Sequence, residues 1–172
     1  VAATRALQSA VAGVDDPATE LVLTRSCGDV AKLQYQLRLE GDRLQDEVLE
    51  EFDGNLRRAL EGVLAGSLTD DAWLQATTSV TAGGLGFREA KTLSLPAFVA
   101  SRVASRPLVK EMSEAAEAAG LFQVDTCLAA FDARTLRAFN RLVQQLPDDA
   151  ARTAAHEEAT AAAAAAADNW TK

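Results

Sequence analysis

The sequence predicts an all-α fold, an irregular bundle of about seven to nine helices. Three observations predict it. Apolar residues recur at intervals of three and four along almost the whole chain. Capping residues, prolines and glycines divide this pattern into segments. The chain has 172 residues, 48% of them hydrophobic, which is enough to bury a core without disulfide or metal support.

The first third of the chain predicts two helices. A short helix carries Leu7 and Val11, and Asp16 followed by Pro17 starts the next one, because Asp caps a helix and Pro fits its first turn. This second helix is expected to run to about residue 39 and to end before Gly41. Its apolar stripe consists of Leu23, Cys27, Val30, Leu33 and Leu37.

The middle of the chain contains the clearest amphipathic helix. Six apolar residues follow one another in steps of four, and Gly66 marks the stop: Leu44, Val48, Phe52, Leu56, Leu60 and Leu64. Thr69 is the expected N-cap of a short helix that carries Trp73. We expect Trp73 to be buried beside the glycine-rich break that follows.

The remaining segments are expected to be separated by prolines and glycines. Helices are predicted over 87–93, from Pro96 to Pro107, over 108–119 up to Gly120, and over 121–146 with a break near Phe131 or Asp132. The expected core also includes Leu85, Phe98, Leu128, Phe131, Phe139 and Leu142.

The domain organisation follows from a change of composition. Residues 1–147 are expected to form a compact helical domain, and residues 148–172 an Ala-rich C-terminal helix or tail with seven consecutive alanines. Trp170 follows this Ala tract, which offers it no large side chain to pack on. We expect it to fold back onto the domain or to dock on another protein, with Ala163 and Ala166 beside it in the candidate docking surface.

Charge and composition exclude several classes of protein. The net charge is −8, which argues against a main role in binding nucleic acid. No apolar run is long enough to predict a transmembrane segment. Residue 1 is Val, so we expect a processed product, a domain of a longer protein or a chain without its leader; the compartment stays open, and a plastid or mitochondrial complex is one hypothesis. Cys27 and Cys127 are expected to be free and buried.

Catalytic motifs are missing from the sequence. Gly83, Gly84 and Gly86 form a glycine cluster, but Phe87 follows where a phosphate-binding loop needs Lys and Ser or Thr, so we expect a structural turn. Three Asp-Asp pairs each precede a predicted helix and are explained by capping. The single histidine, His156, has no companion at metal-ligand spacing. We therefore predict no catalytic, cofactor-binding or metal-binding residue, and no enzyme.

Three stretches of the sequence resemble a known family. They are W-L-Q-A at 73–76, G-G-L-G-F-R at 83–88 and A-F-V-A-S at 97–101. Together they resemble the segment downstream of the palm in reverse transcriptases of non-LTR retrotransposons, where the pattern is W-x-Q-A, G-G-L-G-[LIF]-R and A-F-x-A-S. The resemblance covers about residues 7–106. It implies a helical thumb-like or connection-like module that packs on a polymerase core.

The sequence departs from this family in two ways. The polymerase signature of an aromatic residue followed by x-Asp-Asp is absent, and Tyr35, the only tyrosine, precedes Gln36 and Leu37. Residues 77–79, Thr-Thr-Ser, replace the apolar-Pro pair that usually follows W-x-Q-A. The resemblance therefore implies no catalytic residue and no polymerase activity.

Two hypotheses of function result. The first is a non-catalytic structural or protein-interaction module, an accessory subunit of a larger assembly, derived from a retroelement segment. The alternative is a nucleic-acid-binding, thumb-like fragment of a reverse transcriptase. The alternative requires a set of arginines to converge on one surface: Arg57, Arg58, Arg88, Arg102 and Arg106. A small-ligand carrier would need an apolar cavity.

Overall fold

The computed structural model describes residues 2–121, 124–146 and 148. These residues are mostly helical and contain no strand, so the predicted all-α class is confirmed. The chain divides into two compact units, Val1–Ser101 and Arg102–Lys172, with the division inside a long helix. A domain over 1–147 followed by a tail stays a prediction, because residues 149–172 lie outside the described part.

The helices follow one another in the first unit with short connections. α1 spans Ala2–Val11, α2 Pro17–Leu23, α3 Gln34–Glu40, α4 Asp46–Val63 and α5 Asp70–Thr77. A π-helix over Thr24–Gly28 continues α2, and single 3-10 turns occupy Val30–Lys32 and Val80–Ala82. α6 spans Ala90–Ala118 and crosses into the second unit, which also contains α7 over Val124–Gln144.

The single helix predicted up to residue 39 is wrong. The chain breaks at Asp29, whose backbone is extended at φ −87° and ψ −164°. The Asp29 carboxylate accepts a hydrogen bond from the backbone N–H of Ala31 at 2.8 Å and so starts a new helical turn. A short polar side chain that bonds the backbone two residues ahead competes with the helix, which explains the break.

The breaks predicted at Pro96, Pro107 and Phe131 are also wrong. Both prolines lie inside α6, and α7 runs through Phe131 without interruption. A proline inside a helix costs about 3 kcal/mol because it removes one hydrogen bond and crowds the preceding turn. Burial of Leu95 and Phe98 on either side of Pro96 opposes this cost. Three predicted segments therefore form one helix, so the described residues contain fewer helices than the sequence predicted.

Several predicted helix ends are confirmed in the structure. The Asp16 side chain accepts from the backbone N–H of Thr19, and Thr69 accepts from that of Ala72. Gly120 ends α6 with a φ of +71°. At the end of α4, however, the residue with positive φ is Ala65, at +51°, and not Gly66.

The core of the first unit consists of two clusters of buried side chains. One contains Val30, Leu37, Leu49, Phe52 and Ala90, and the other contains Leu56, Leu60, Trp73, Ala76 and Phe87. Val48 was expected in this core and is 39% exposed, while its neighbour Leu49 is 3% exposed. A series in steps of four turns by about 40° per step around a helix, so Val48 and Leu64 at its two ends leave the face on which Phe52, Leu56 and Leu60 are buried.

The other expected core residues divide into two groups. Val30, Leu37, Phe52, Leu56, Leu60, Trp73 and Phe98 are buried as predicted. The remaining ones are only half-buried: Leu23, Leu85, Leu128, Phe131, Phe139 and Leu142. In the second unit Ala138 and Val143 of α7 are buried instead. Both cysteines are free, as predicted. The prediction that both are buried is wrong, because Cys27 is half-buried and Cys127 is exposed.

Among the helices of the described residues, none has the length and apolar character needed to cross a membrane.

Candidate functional site

The glycine-rich turn wraps around the C-terminal end of α5. The backbone N–H groups of Leu85 and Phe87 both donate to the carbonyl of Ala76 at 3.2 Å, and the N–H of Gly86 donates to that of Thr78 at 2.9 Å. These bonds satisfy carbonyls that the end of a helix leaves without an intrahelical partner. The turn is thus hydrogen-bonded through its backbone to α5.

The three glycines of the turn have different structural roles. Gly83 and Gly86 have φ values of +85° and +73°, in the region that only glycine adopts without strain. Gly84 lies so close to α5 that a Cβ atom on it would be 2.1 Å from the carbonyl oxygen of Thr78 and 2.5 Å from that of Gln75. The structure therefore places all three in one turn that α5 contacts directly.

Trp73 connects α5 to the start of α6. Its side chain is 9% exposed, as predicted, and belongs to the cluster that includes Phe87. Its indole Nε1 donates to the Glu89 carboxylate at 2.8 Å, and the other oxygen of Glu89 accepts from the hydroxyl of Thr92 at 3.2 Å. A buried indole needs such an acceptor, and Glu89 supplies it.

A carboxylate from α4 caps the N-terminus of α6. Asp53 accepts from the backbone N–H groups of Ala90 at 2.7 Å and Lys91 at 3.0 Å. Burial raises the pKa of Asp53 to about 6, because the loss of water disfavours the charged form more than the two backbone bonds favour it. The Lys91 ammonium is held by Glu50 of α4, which raises the pKa of Lys91.

Arg88 pairs with a fully buried carboxylate. The Asp29 side chain has no exposed surface, and its Oδ2 atom lies 3.4 Å from both Nε and Nη2 of Arg88. The Arg88 side chain is itself 53% exposed. A buried charge is costly without a partner, so this pair fixes Arg88 against the break that precedes α3.

Beside Arg88 lies a half-open cavity of about 310 Å³ in the first unit. Most of its walls are aliphatic, and Gln34 and Arg88 are its polar members. The lining residues come from the segment around α3 and from the first turns of α6: Val30, Ala31, Gln34, Leu37, Arg88, Leu93, Pro96 and Ala97. A cavity of this kind is the type of feature in which proteins bind small molecules.

Arg57 and Arg58 on α4 both bond to neighbouring parts of the first unit. Arg57 donates to the Asp70 carboxylate at 2.8 Å and to the carbonyl of Leu68. Arg58 donates to the Asn55 side chain at 2.6 Å. The Arg57 contacts hold the connection between α4 and α5 in place, and the Arg58 contact joins two side chains of α4.

Arg102 and Arg106 join α6 to α7 within the second unit. The Arg102 guanidinium lies 3.5 Å from the centroid of the Phe131 ring, and it donates to the Phe131 carbonyl at 2.9 Å and the Thr135 hydroxyl at 3.2 Å. Arg106 forms a two-pronged ion pair with Asp132 at 2.7 and 2.8 Å. All the arginines proposed as nucleic-acid contacts thus have intramolecular partners.

The remaining predicted site residues lie outside the described residues. These are Trp170, Ala163 and Ala166, the candidate docking residues of the C-terminal segment. Within the described ranges, no group of three His, Cys, Asp or Glu side chains has an arrangement that could hold a metal ion.

Sequence reasoning missed the carboxylates that organise this region. Asp53 follows Phe52 on an amphipathic helix and carries no local signal, and only its contact with residues 90 and 91, distant in sequence, reveals the cap. Asp29 had a local signal, since it directly follows Gly28.

No protein-family model, curated protein or solved structure matches this chain.

Proposed function

We propose that this protein is a non-catalytic protein-interaction module, an accessory subunit of a larger assembly. One observation carries the proposal: every arginine expected to contact nucleic acid is instead bonded within the chain. An arginine that already holds a carboxylate or a carbonyl has fewer donors for a phosphate. The net charge of −8 also opposes binding to nucleic acid.

Exposed apolar side chains support the same proposal. Tyr35 and Leu39 are one helical turn apart on α3, and they are 72% and 46% exposed. Leu74 of α5 is 68% exposed. Aromatic and large aliphatic side chains are common at the centres of protein interfaces, where they become buried. An origin from a retroelement segment is part of the proposal and is supported by the stretches at 73–76, 83–88 and 97–101.

The test is native purification of the tagged chain from its source, followed by mass spectrometry. We expect the same partner proteins at constant stoichiometry. The double variant Tyr35→Ser with Leu39→Ser should lose these partners, whereas the control Gln36→Ser, an exposed polar residue of the same helix, should retain them. Trp170→Ala tests the candidate docking residues of the C-terminal segment in the same way.

A salt titration against nucleic-acid duplex tests the alternative. We expect no binding at low salt. Binding whose affinity falls steeply with salt, and which weakens in an Arg57→Ala with Arg58→Ala variant, would support a thumb-like fragment instead. A chain that purifies alone or only with nucleic acid would contradict the accessory-subunit proposal.

A further inference from the structure

The cavity beside Arg88 combines an apolar interior with a guanidinium whose charge Asp29 balances. Its volume of about 310 Å³ lies at the lower end of the range for small-molecule sites. Leu37 and Val30 form buried parts of its wall, while Leu93, Pro96 and Ala97 supply half-buried apolar surface from α6. An apolar group that enters this cavity exchanges water for aliphatic neighbours.

The pair with Asp29 uses only part of the Arg88 guanidinium. Two of its N–H groups point to the buried Asp29 carboxylate at 3.4 Å. A guanidinium has five N–H donors in a rigid plane, so the donors turned away from Asp29 form a second edge. Because the side chain is 53% exposed and lines the cavity, a ligand can reach this edge.

The type of ligand follows from these two parts. A planar carboxylate fits the edge of a guanidinium with two parallel hydrogen bonds. The Gln34 amide, also on the cavity wall, offers a further donor. Asp29 already balances the single positive charge of Arg88, so the ligand carboxylate is held by hydrogen bonds to the second edge of the guanidinium and not by a net charge. Each further negative charge on the ligand would add an unpaired charge, so a monoanion is favoured over a dianion.

We propose that this cavity binds a small monocarboxylate with an apolar body, whose carboxylate contacts Arg88 and whose body lies against Leu93, Pro96 and Ala97. Asp29 is the positioning residue that holds Arg88 at the cavity. For a ligand of about ten heavy atoms in a half-open site, the expected Kd is about 0.1–1 mM. The proposal does not depend on the proposed interaction function.

The experiment is a titration of the full chain, labelled with nitrogen-15, by octanoate below its micelle concentration. We expect saturable shifts of backbone amide signals at Ala31, Gln34, Leu93 and Ala97. Butyrate should bind at least about tenfold more weakly, since each buried methylene strengthens binding several-fold. Octylammonium, with the same body and the opposite charge, should cause no saturable shift at these residues.

Two variants separate the contributions of charge and shape. Arg88→Lys keeps a positive partner for Asp29 but removes the planar edge, so octanoate should bind about tenfold more weakly. Ala97→Leu fills the cavity and should abolish the shifts, whereas the matched control Ala100→Leu, exposed on the same helix, should bind as the wild type does.

Three outcomes would overturn the proposal. These are no saturable shift with octanoate at these amides, equal binding of octylammonium, and unchanged octanoate affinity in a folded Ala97→Leu variant. The first would favour instead an apolar side chain of a partner protein as the occupant of the cavity.

Discussion

Replacing Gly84 by alanine should be among the most damaging single-methyl additions in this protein. The added Cβ would lie 2.1 Å from the carbonyl oxygen of Thr78 and 2.5 Å from that of Gln75. Both oxygens belong to backbone at the end of α5, which cannot rotate away as a flexible side chain could. The turn must therefore move by roughly 1 Å to restore an ordinary van der Waals distance.

The magnitude follows from what such a movement disrupts. Three backbone hydrogen bonds join the turn to α5, from the N–H groups of Leu85, Gly86 and Phe87. Each contributes about 1 kcal/mol. Displacement of Phe87, which is fully buried, adds a packing cost of about 1–3 kcal/mol. We expect Gly84→Ala to reduce the free energy of unfolding by about 4–6 kcal/mol, and Gly84→Val to reduce it at least as much.

The chain provides matched controls for this prediction. Gly62 lies inside α4 with no atom within 4 Å of a built Cβ, so Gly62→Ala should stabilise the protein by about 0.5–1 kcal/mol. Gly83 also has open space but a φ of +85°, so Gly83→Ala should cost about 1 kcal/mol through backbone strain alone.

Urea unfolding followed by circular dichroism at 222 nm measures the free energy of unfolding of all three variants and of the wild type. The expected order of stability is Gly62→Ala, wild type, Gly83→Ala, then Gly84→Ala. If Gly84→Ala unfolded at the same urea concentration as the wild type, the close contact with α5 would not constrain this position, and the structural explanation of the glycine cluster would be wrong.

The remaining predictions concern buried carboxylates and one strained residue. Arg88→Gln should lower the free energy of unfolding, measured with urea, by about 2 kcal/mol, because it leaves Asp29 buried without its partner. Adding Asp29→Asn should recover part of this loss, and a purely additive double variant would contradict the coupling. The pKa of Asp53 is raised to about 6 in the folded state, above its ordinary value. The folded chain therefore binds more protons between about pH 4 and 6, and its stability relative to Asp53→Asn should fall as pH rises through this range. Unfolding at pH 4 and pH 7 checks the sign, and a relative stability that rises with pH would refute it. Ala65→Gly should stabilise the chain by about 1 kcal/mol in thermal unfolding, since Ala65 has a φ of +51°; no gain would mean that the strain is relieved elsewhere.

Sequence reasoning succeeded where the signal is local. The spacing of apolar residues predicts the all-α class, and the capping roles of Asp16 and Thr69 follow from residues only three positions apart. It failed where contacts between residues far apart in the sequence determine the structure. Pro96 looks like a helix start, yet the helix begins at Ala90, where Asp53 caps it from another helix. No local pattern contains that interaction.

The same limit applies to the candidate site. The glycine cluster could be assigned to a turn from its lack of phosphate-loop residues. Its close contact with α5 follows only from the structure, as does the pairing of Arg88 with Asp29. A cavity formed by α3 and α6 depends on how residues about 60 positions apart come together. Periodicity within either helix cannot predict it.

The conspicuous residues of the region from Trp73 to Arg88 are used for structure. The Trp73 indole is bonded to Glu89, Phe87 is fully buried, and Arg88 holds the buried carboxylate of Asp29. Gly84 permits contact between the turn and α5. A sequence that lost any of these residues would lose local stability whatever its activity. A resemblance carried by such residues therefore concerns local structure and does not by itself imply a shared reaction. For the same reason the pattern identifies no function by itself, and function has to be sought on the exposed surfaces and in the cavity beside Arg88.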